Sequence, residues 1–166
     1  MIGLFFEFDY RIILFEIIFK IEIMSHVRIW VHAVFATKYR TPFLSDEIRK
    51  SVFNHIIKNC NKKGILIRNI NGYVDHAHCL IALGKDQTIS NVMNQIKGES
   101  SHWINQNKMV SEKFMWQDDY YAVSVCESQL ERVAAYINNQ EKHHAKRSFD
   151  DELEELIRKY GFEKGE

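Results

Sequence analysis

Two histidines, His76 and His78, stand one residue apart in the mostly apolar run HAHCLIAL. In a β-strand, side chains two positions apart lie on the same face of the sheet, about 6–7 Å apart along the strand. Two imidazoles at that spacing can bind one metal ion through their ring nitrogens. Two ligands do not hold a divalent ion tightly, so the pattern predicts a metal site only with a third ligand. The alternative is two histidines that merely lie on a half-exposed strand.

The segment YINNQ carries two further candidates, Tyr136 and Gln140, four residues apart. In an α-helix this spacing places both on one face. The amide oxygen of Gln140 would complete a site of two nitrogens and one oxygen, suited to Mg²⁺ or Mn²⁺ with open positions for substrate oxygens. The phenol of Tyr136 has an ordinary pKa of about 10 and attacks poorly unless a cation polarises the electrophile, for example a phosphodiester. The alternative for Tyr136 is a ring that packs in the core.

Hydrophobic periodicity indicates the elements that must position these residues. The segments VRIWVHAVF, ILIRNINGYV, HAHCLIAL and YYAVSVC are predicted strands. Helical spacing runs from the cap candidate Ser45 to Gly64, and recurs in TISNVMNQIKGESSHWINQ, ESQLERVAAYINNQEKHH and the acidic DDELEELIRKY. The order β-α-β-β-α-β predicts an α+β fold, a ferredoxin-like split βαβ sandwich. It has a four-stranded antiparallel sheet with helices on one face, followed by C-terminal helices.

The alternation along the third strand assigns its two faces. Ala77, Cys79 and Ile81 share the face that must be covered by helices. His76 and His78 are then expected on the opposite, more open face.

The chain has 166 residues, 46% of them hydrophobic and 27% charged, as in an ordinary globular domain. Three cysteines without a CxxC pair exclude a cysteine-built zinc site by motif and fit a reducing cytoplasm. The formal net charge is zero, but residues 25–147 hold 17 Lys and Arg against 11 Asp and Glu, while both ends are acidic. A basic centre is compatible with a polyanionic partner.

The first 24 residues, MIGLFFEFDYRIILFEIIFKIEIM, differ in composition from the rest. Charges interrupt them every few residues, so no apolar run approaches the roughly 20 residues that span a bilayer, and no membrane segment is predicted. Residues 1–23 are interpreted as an N-terminal extension. It is either upstream sequence read through before a start at Met24 or a short amphipathic element. Residues 24–147 are predicted to form the domain that carries the candidate site, and residues 148–166 an acidic helical tail.

A family resemblance emerges from several motifs taken in order. His76-Ala77-His78 is a His-hydrophobic-His motif, and VFATKYR, IKGESS, WQDDYYAVSV and YINNQ accompany it. With these motifs the chain resembles the single-tyrosine transposases of the insertion sequence 200/605 family over roughly residues 26–147. It is similar also to their close relatives, the REP-associated tyrosine transposases.

The resemblance implies a role for each candidate. His76 and His78 would be metal-binding histidines, Gln140 the third ligand and Tyr136 the nucleophile, with Mg²⁺ or Mn²⁺ as cofactor. The implied substrate is single-stranded DNA with a hairpin, cleaved through a 5′-phosphotyrosine that frees a 3′-OH and later rejoined. The implied assembly is a homodimer in which the helix bearing the tyrosine can complete the partner's site.

Other side chains are weaker candidates. Lys38, Arg40 and Lys97 are predicted phosphate contacts, with solvated surface bases as the alternative. Tyr120 and Tyr121 are rival nucleophiles, but neither has a glutamine four residues on. His32 and Asp75 are considered as hydrogen-bonding partners of a metal ligand.

Three other functions are weighed against a tyrosine transposase. A non-catalytic or domesticated REP-type hairpin-binding protein would not need the nucleophile. A rolling-circle nicking enzyme shares the His-hydrophobic-His pair but usually has a longer chain. A metal-dependent phosphoesterase of small molecules would leave no protein on its product.

Overall fold

The computed structural model of the protein describes residues 27–144 and 149–161. The strands are β1 (Ile29–Ala36), β2 (Leu66–Gly72), β3 (His76–Leu83) and β4 (Tyr121–Val125). The α-helices are α1 (Asp46–Lys62), α2 (Ile89–Gln106), α3 (Leu130–Asn138), α4 (Gln140–His144) and α5 (Phe149–Tyr160). The predicted extension at residues 1–23 lies outside the described residues, so the proposed domain boundaries stay predictions.

The four strands form one antiparallel sheet in the order β2-β3-β1-β4. This order and the element sequence confirm the predicted α+β, split βαβ fold. The two central strands are β3 and β1, and their register sets His78 opposite Val34 and His76 opposite Ala36. The candidate histidines therefore lie in the middle of the sheet.

Helices α1 and α2 cover one face of the sheet. The apolar side chains of the strands on this face, among them Ala33, Phe35, Cys79 and Ile81, join those of both helices in the larger core. This is the face that the alternation along β3 predicted. The chain leaves α1 through Gly64, whose positive φ of 68° suits a residue without a Cβ.

The opposite face is covered as well, by α3 and α5. Leu130, Ala134 and Ile137 recur at helical spacing along α3 and pack on the strands. Phe149 at the start of α5 packs on Val34 and Ala36. The expectation of a more open face was wrong, because these helices bury His76 and His78 to 0% exposure.

The predicted third helix is interrupted. It begins with a short 3₁₀ helix, Glu127–Gln129, and breaks again at Asn139, between α3 and α4. The Asn139 side chain donates to the Ala135 carbonyl at 2.8 Å, which is the kind of local bond by which asparagine competes with helical pairing. Tyr136 and Gln140 thus lie on two successive helices, and not on one continuous face. Among the helices in the described part of the chain, none is long and apolar enough to cross a membrane.

Candidate active site

His76 and His78 point from β3 into the space between the sheet and the C-terminal helices. Their ring centroids are 5.2 Å apart with the ring planes nearly perpendicular. Phe149 stacks on His76 at 4.3 Å. The imidazoles are therefore held by packing on a rigid central strand.

Asp75 fixes the orientation of His76. One carboxylate oxygen lies 2.8 Å from His76 Nδ1, and the other accepts from Arg40 Nε at 2.9 Å and Nη2 at 2.6 Å. Burial alone would raise the pKa of Asp75, but the hydrogen bonds from His76 and Arg40 lower it overall. Burial lowers the pKa of His76 despite the opposing effect of Asp75. A neutral His76 with its proton on Nδ1 has its lone pair on Nε2, the form that binds cations.

His78 has a corresponding neighbour on β1. His32 is 5% exposed, and its Nε2 lies 3.1 Å from Nδ1 of His78. The two rings are stacked, with centroids 5.3 Å apart. Each histidine of the pair thus makes a hydrogen bond through Nδ1.

Helix α3 brings Tyr136 to this pair within the same chain. The apolar stripe of α3 seats the helix on Trp30, Leu80 and Ala82. The half-buried Tyr136 ring then lies 5.8 Å from the His78 ring and 6.1 Å from the His32 ring, nearly perpendicular to both. The phenol and the two candidate ligands therefore occupy one site.

Gln140 completes the group at the start of α4. Its side chain is fully buried beside His76, and it adds to the effect of Asp75 in opposing the lowering of the His76 pKa by burial. The next residue, Glu141, accepts a hydrogen bond from the buried Arg49 of α1 at 2.8 Å, which holds this short helix against the rest of the protein. The structure therefore brings together all four residues that the sequence singled out. The pair His76 and His78 lies far in the sequence from the pair Tyr136 and Gln140.

Comparison with known proteins decides the family. A family model described as "Transposase IS200 like" matches residues 25–140. The chain belongs to the IS200-like transposase family. It is 29% identical over 126 residues to the transposases for insertion sequence element IS200 of Salmonella typhimurium and Salmonella typhi, covering 70% of this chain and 81% of each relative. The chain is accordingly a transposase, an enzyme that acts on DNA.

Two solved structures share the fold of this IS200-like transposase. One is a crystal structure of a Deinococcus radiodurans R1 protein described as a transposase, with a TM-score of 0.57 and 21% identity over 70% of this chain and 93% of that one. The other is a REP-associated tyrosine transposase bound to a REP hairpin, with a TM-score of 0.54 and 18% identity over 73% of this chain and 74% of that one. At these identities the likeness establishes the fold.

The donor set of the IS200-like transposase suits a divalent cation. Among the described residues, no group of three or more His, Cys, Asp or Glu side chains is arranged to hold a metal. The donors that the site offers are the two imidazoles and the buried amide of Gln140 beside His76. An amide oxygen is a ligand that Mg²⁺ and Mn²⁺ accept, and imidazole nitrogens favour the transition ion, so the set fits Mn²⁺ at least as well as Mg²⁺.

The three predicted phosphate contacts already have partners within the transposase. Lys38 forms an ion pair with Asp118 at 2.6 Å, which raises its pKa, and Lys97 donates to the Asp118 carbonyl at 2.5 Å. Arg40 pairs with Asp75 and lies 3.9 Å from the Phe149 ring. Of the three, Arg40 is linked to the histidine pair, through its ion pair with Asp75. Lys38 and Lys97 both contact Asp118, in the loop before β4.

Sequence reasoning missed two contributors to the site. Phe149 falls in the predicted acidic tail, and no periodic signal indicated its place over His76. Arg49 falls within the predicted first helix, but its link to Glu141 joins residues 92 positions apart. The signal that could have revealed it is the position of Arg49 on the core-facing side of the predicted helix, because a buried arginine needs an acidic partner.

Proposed function

We propose that this transposase cleaves and rejoins single-stranded DNA through a covalent 5′-phosphotyrosine formed on Tyr136. The observation that supports the proposal most directly is the packing of the Tyr136 ring against His78, at 5.8 Å between centroids. A phenol beside two imidazoles and an amide oxygen is a nucleophile placed next to a candidate cation site. A tyrosine that served only for packing would have no need of these neighbours.

The proposed step keeps the number of phosphodiester bonds constant. The Tyr136 oxygen attacks a backbone phosphorus, a new bond forms from tyrosine to the 5′-phosphate, and the bond from phosphorus to the 3′-oxygen breaks. The phenol gives up its proton and the departing 3′-oxygen takes one up, which leaves a free 3′-OH. Attack by a 3′-OH on the phosphotyrosine reverses the step and restores the phenol, so no external energy source is needed.

His76, His78 and Gln140 are the proposed ligands of Mg²⁺ or Mn²⁺. A bound divalent ion would polarise the scissile phosphate and orient it toward the phenol. Asp75 holds His76 with its proton on Nδ1, and the packing of α3 holds Tyr136. The protein thereby supplies the fixed geometry on which such a reaction depends.

The proposed substrate is a single strand marked by a hairpin. The REP-associated transposase of similar fold was solved bound to a REP hairpin, and the central part of this chain carries a net positive charge. Arg40, Lys38 and Lys97 are proposed to contact phosphates once their present acidic or carbonyl partners are exchanged for DNA oxygens. All three cysteines are free thiols, which supports a reducing compartment, the cytoplasm, as the place of action.

We propose a homodimer as the working assembly, with the sheets joined at an edge. Strands β2 and β4 are the two edges of the sheet. The resemblance to the family is compatible with a Tyr136 that completes the active site of the partner chain. The contact of Tyr136 with His78 in one chain supports a site that each chain completes for itself.

The deciding experiment is covalent capture on a hairpin-bearing single-stranded oligonucleotide in the presence of Mn²⁺. The unaltered protein should form a protease-sensitive DNA adduct, EDTA should prevent it, and Tyr136→Phe should abolish it while hairpin binding persists. Tyr120→Phe and Tyr121→Phe are the matched controls and should still form the adduct. Cleavage by Tyr136→Phe would favour the phosphoesterase alternative. Hairpin binding by the unaltered protein with no adduct under any condition would favour the non-catalytic hairpin-binding alternative.

A further inference from the structure

His32 is a polar residue in an apolar row. It lies on central strand β1, where the residues two positions away on either side, Trp30 and Val34, are buried apolar side chains of the same face. Burying an imidazole at 5% exposure costs free energy unless its nitrogens are hydrogen-bonded. The hydrogen bond between His32 and His78 offsets part of this cost.

His32 lies close both to the candidate ligand His78 and to the candidate nucleophile Tyr136. Its Nε2 is 3.1 Å from Nδ1 of His78, and its ring is 6.1 Å from the ring of Tyr136. It lies in β1 opposite Leu80, two residues beyond His78 in β3, so the contact with His78 is a diagonal one across the two strands. The backbone register of two rigid strands thus fixes the hydrogen bond.

We propose that His32 is a positioning residue that holds His78 in its metal-binding form. This inference rests on the proposed function, because it takes His78 to be a ligand. An imidazole that binds a cation through Nε2 carries its proton on Nδ1 and needs an acceptor there. The nearby Nε2 of His32 is that acceptor when the proton of His32 is on Nδ1.

His32 and Asp75 then have equivalent tasks. In the proposed arrangement, Asp75 accepts from Nδ1 of His76 at 2.8 Å, and Nε2 of His32 accepts from Nδ1 of His78 at 3.1 Å. Both candidate ligands are thereby directed to offer Nε2 to one ion.

The test is Mn²⁺ affinity of the full-length protein without DNA, measured by titration of the EPR signal of free Mn²⁺. A glutamine at position 32 can place its oxygen near the position of Nε2, whereas an asparagine is too short. His32→Asn and His32→Leu should bind Mn²⁺ roughly 10–100-fold more weakly, and His32→Gln should stay close to the unaltered protein. If His32→Leu does not fold, the comparison of His32→Asn with His32→Gln tests the proposal without it.

The matched control is His55→Leu, on the other face of the sheet. This change removes another histidine, a half-buried one, together with its hydrogen bond to Glu99 at 2.7 Å, and it should leave Mn²⁺ affinity unchanged. Equal affinities for His32→Asn, His32→Gln and the unaltered protein would overturn the role of His32, as would equal losses in both amide variants. His78→Ala separates this inference from the proposed function: if it binds Mn²⁺ like the unaltered protein, the metal site itself is refuted.

Discussion

Arg49 on α1 shows how single side chains hold the site together from a distance. It is 1% exposed, and its guanidinium donates to the Leu44 carbonyl at 3.2 Å, to Asp46 at 2.7 Å and to Glu141 at 2.8 Å. A buried cation is tolerated only when its donors are satisfied in this way. Since Glu141 follows Gln140, the same bonds anchor the helix that carries the third proposed ligand.

Arg49→Leu is expected to destabilise the protein by about 2 kcal/mol, because it leaves the Leu44 carbonyl and two carboxylates without this donor. Urea unfolding measures the change. Arg68→Leu is the comparison, since Arg68 pairs with the largely exposed Glu131 and its loss should cost less than about 1 kcal/mol. Equal costs for the two variants would show that the burial of Arg49 does not matter.

At the scale of elements, the pairing of β2 with β3 determines where His76 sits. Gly72 faces Ala77 across the two strands, and a Cβ on Gly72 would lie 2.1 Å from the carbonyl oxygen of His76. That contact is with backbone, which cannot rotate away as a side chain can. The close approach of the two strands at the first candidate ligand therefore requires glycine.

Gly72→Ala should destabilise the protein by roughly 1–3 kcal/mol and weaken Mn²⁺ binding, because the strands must separate at His76. Gly98→Ala is the control. A Cβ added to Gly98 in α2 would meet no neighbouring element of the described chain within 4 Å, and alanine there should stabilise the helix by about 1 kcal/mol. Unfolding curves and Mn²⁺ titration of both variants check this, and a Gly72→Ala protein as stable as the unaltered one would contradict it.

At the scale of the whole molecule, the sheet is a divider between two different layers. The α1 and α2 side holds the larger apolar core, whereas the other side holds His76 and His78 beneath α3, α4 and α5. Helix α3 is also fastened to its own β2, through Asn69 to Asn138 at 3.1 Å and Asn71 to the Asn138 carbonyl at 3.0 Å. Exchange of α3 between partners would have to break these bonds.

Mixed assemblies should therefore show a site completed within each chain. Tyr136→Phe co-expressed with His78→Ala should form no DNA adduct, because neither chain holds both groups. Unaltered chains co-expressed with the Tyr136→Phe/His78→Ala double variant should keep adduct formation on the unaltered chains. Adducts in the first mixture would instead show that Tyr136 serves the partner's histidines.

Local periodicity was enough to predict the strands and the order of elements. HAHCLIAL coincides with β3, and the alternation correctly assigned Ala77, Cys79 and Ile81 to the core under α1 and α2. It misjudged the other face because Phe149 and the stripe on α3 cover that face from far along the chain. The break at Asn139 was missed because no glycine or proline marks the position.

By itself the sequence determined which atoms were available for chemistry: two imidazoles on one face of a strand, a phenol and an amide at helical spacing. Only the tertiary structure decided that these atoms meet, that both imidazoles are fully buried, and that His32 and Asp75 are the neighbours of their Nδ1 atoms. The physical reason is that side-chain direction follows from local backbone geometry, whereas the neighbour across a sheet depends on strand register and on how distant helices pack.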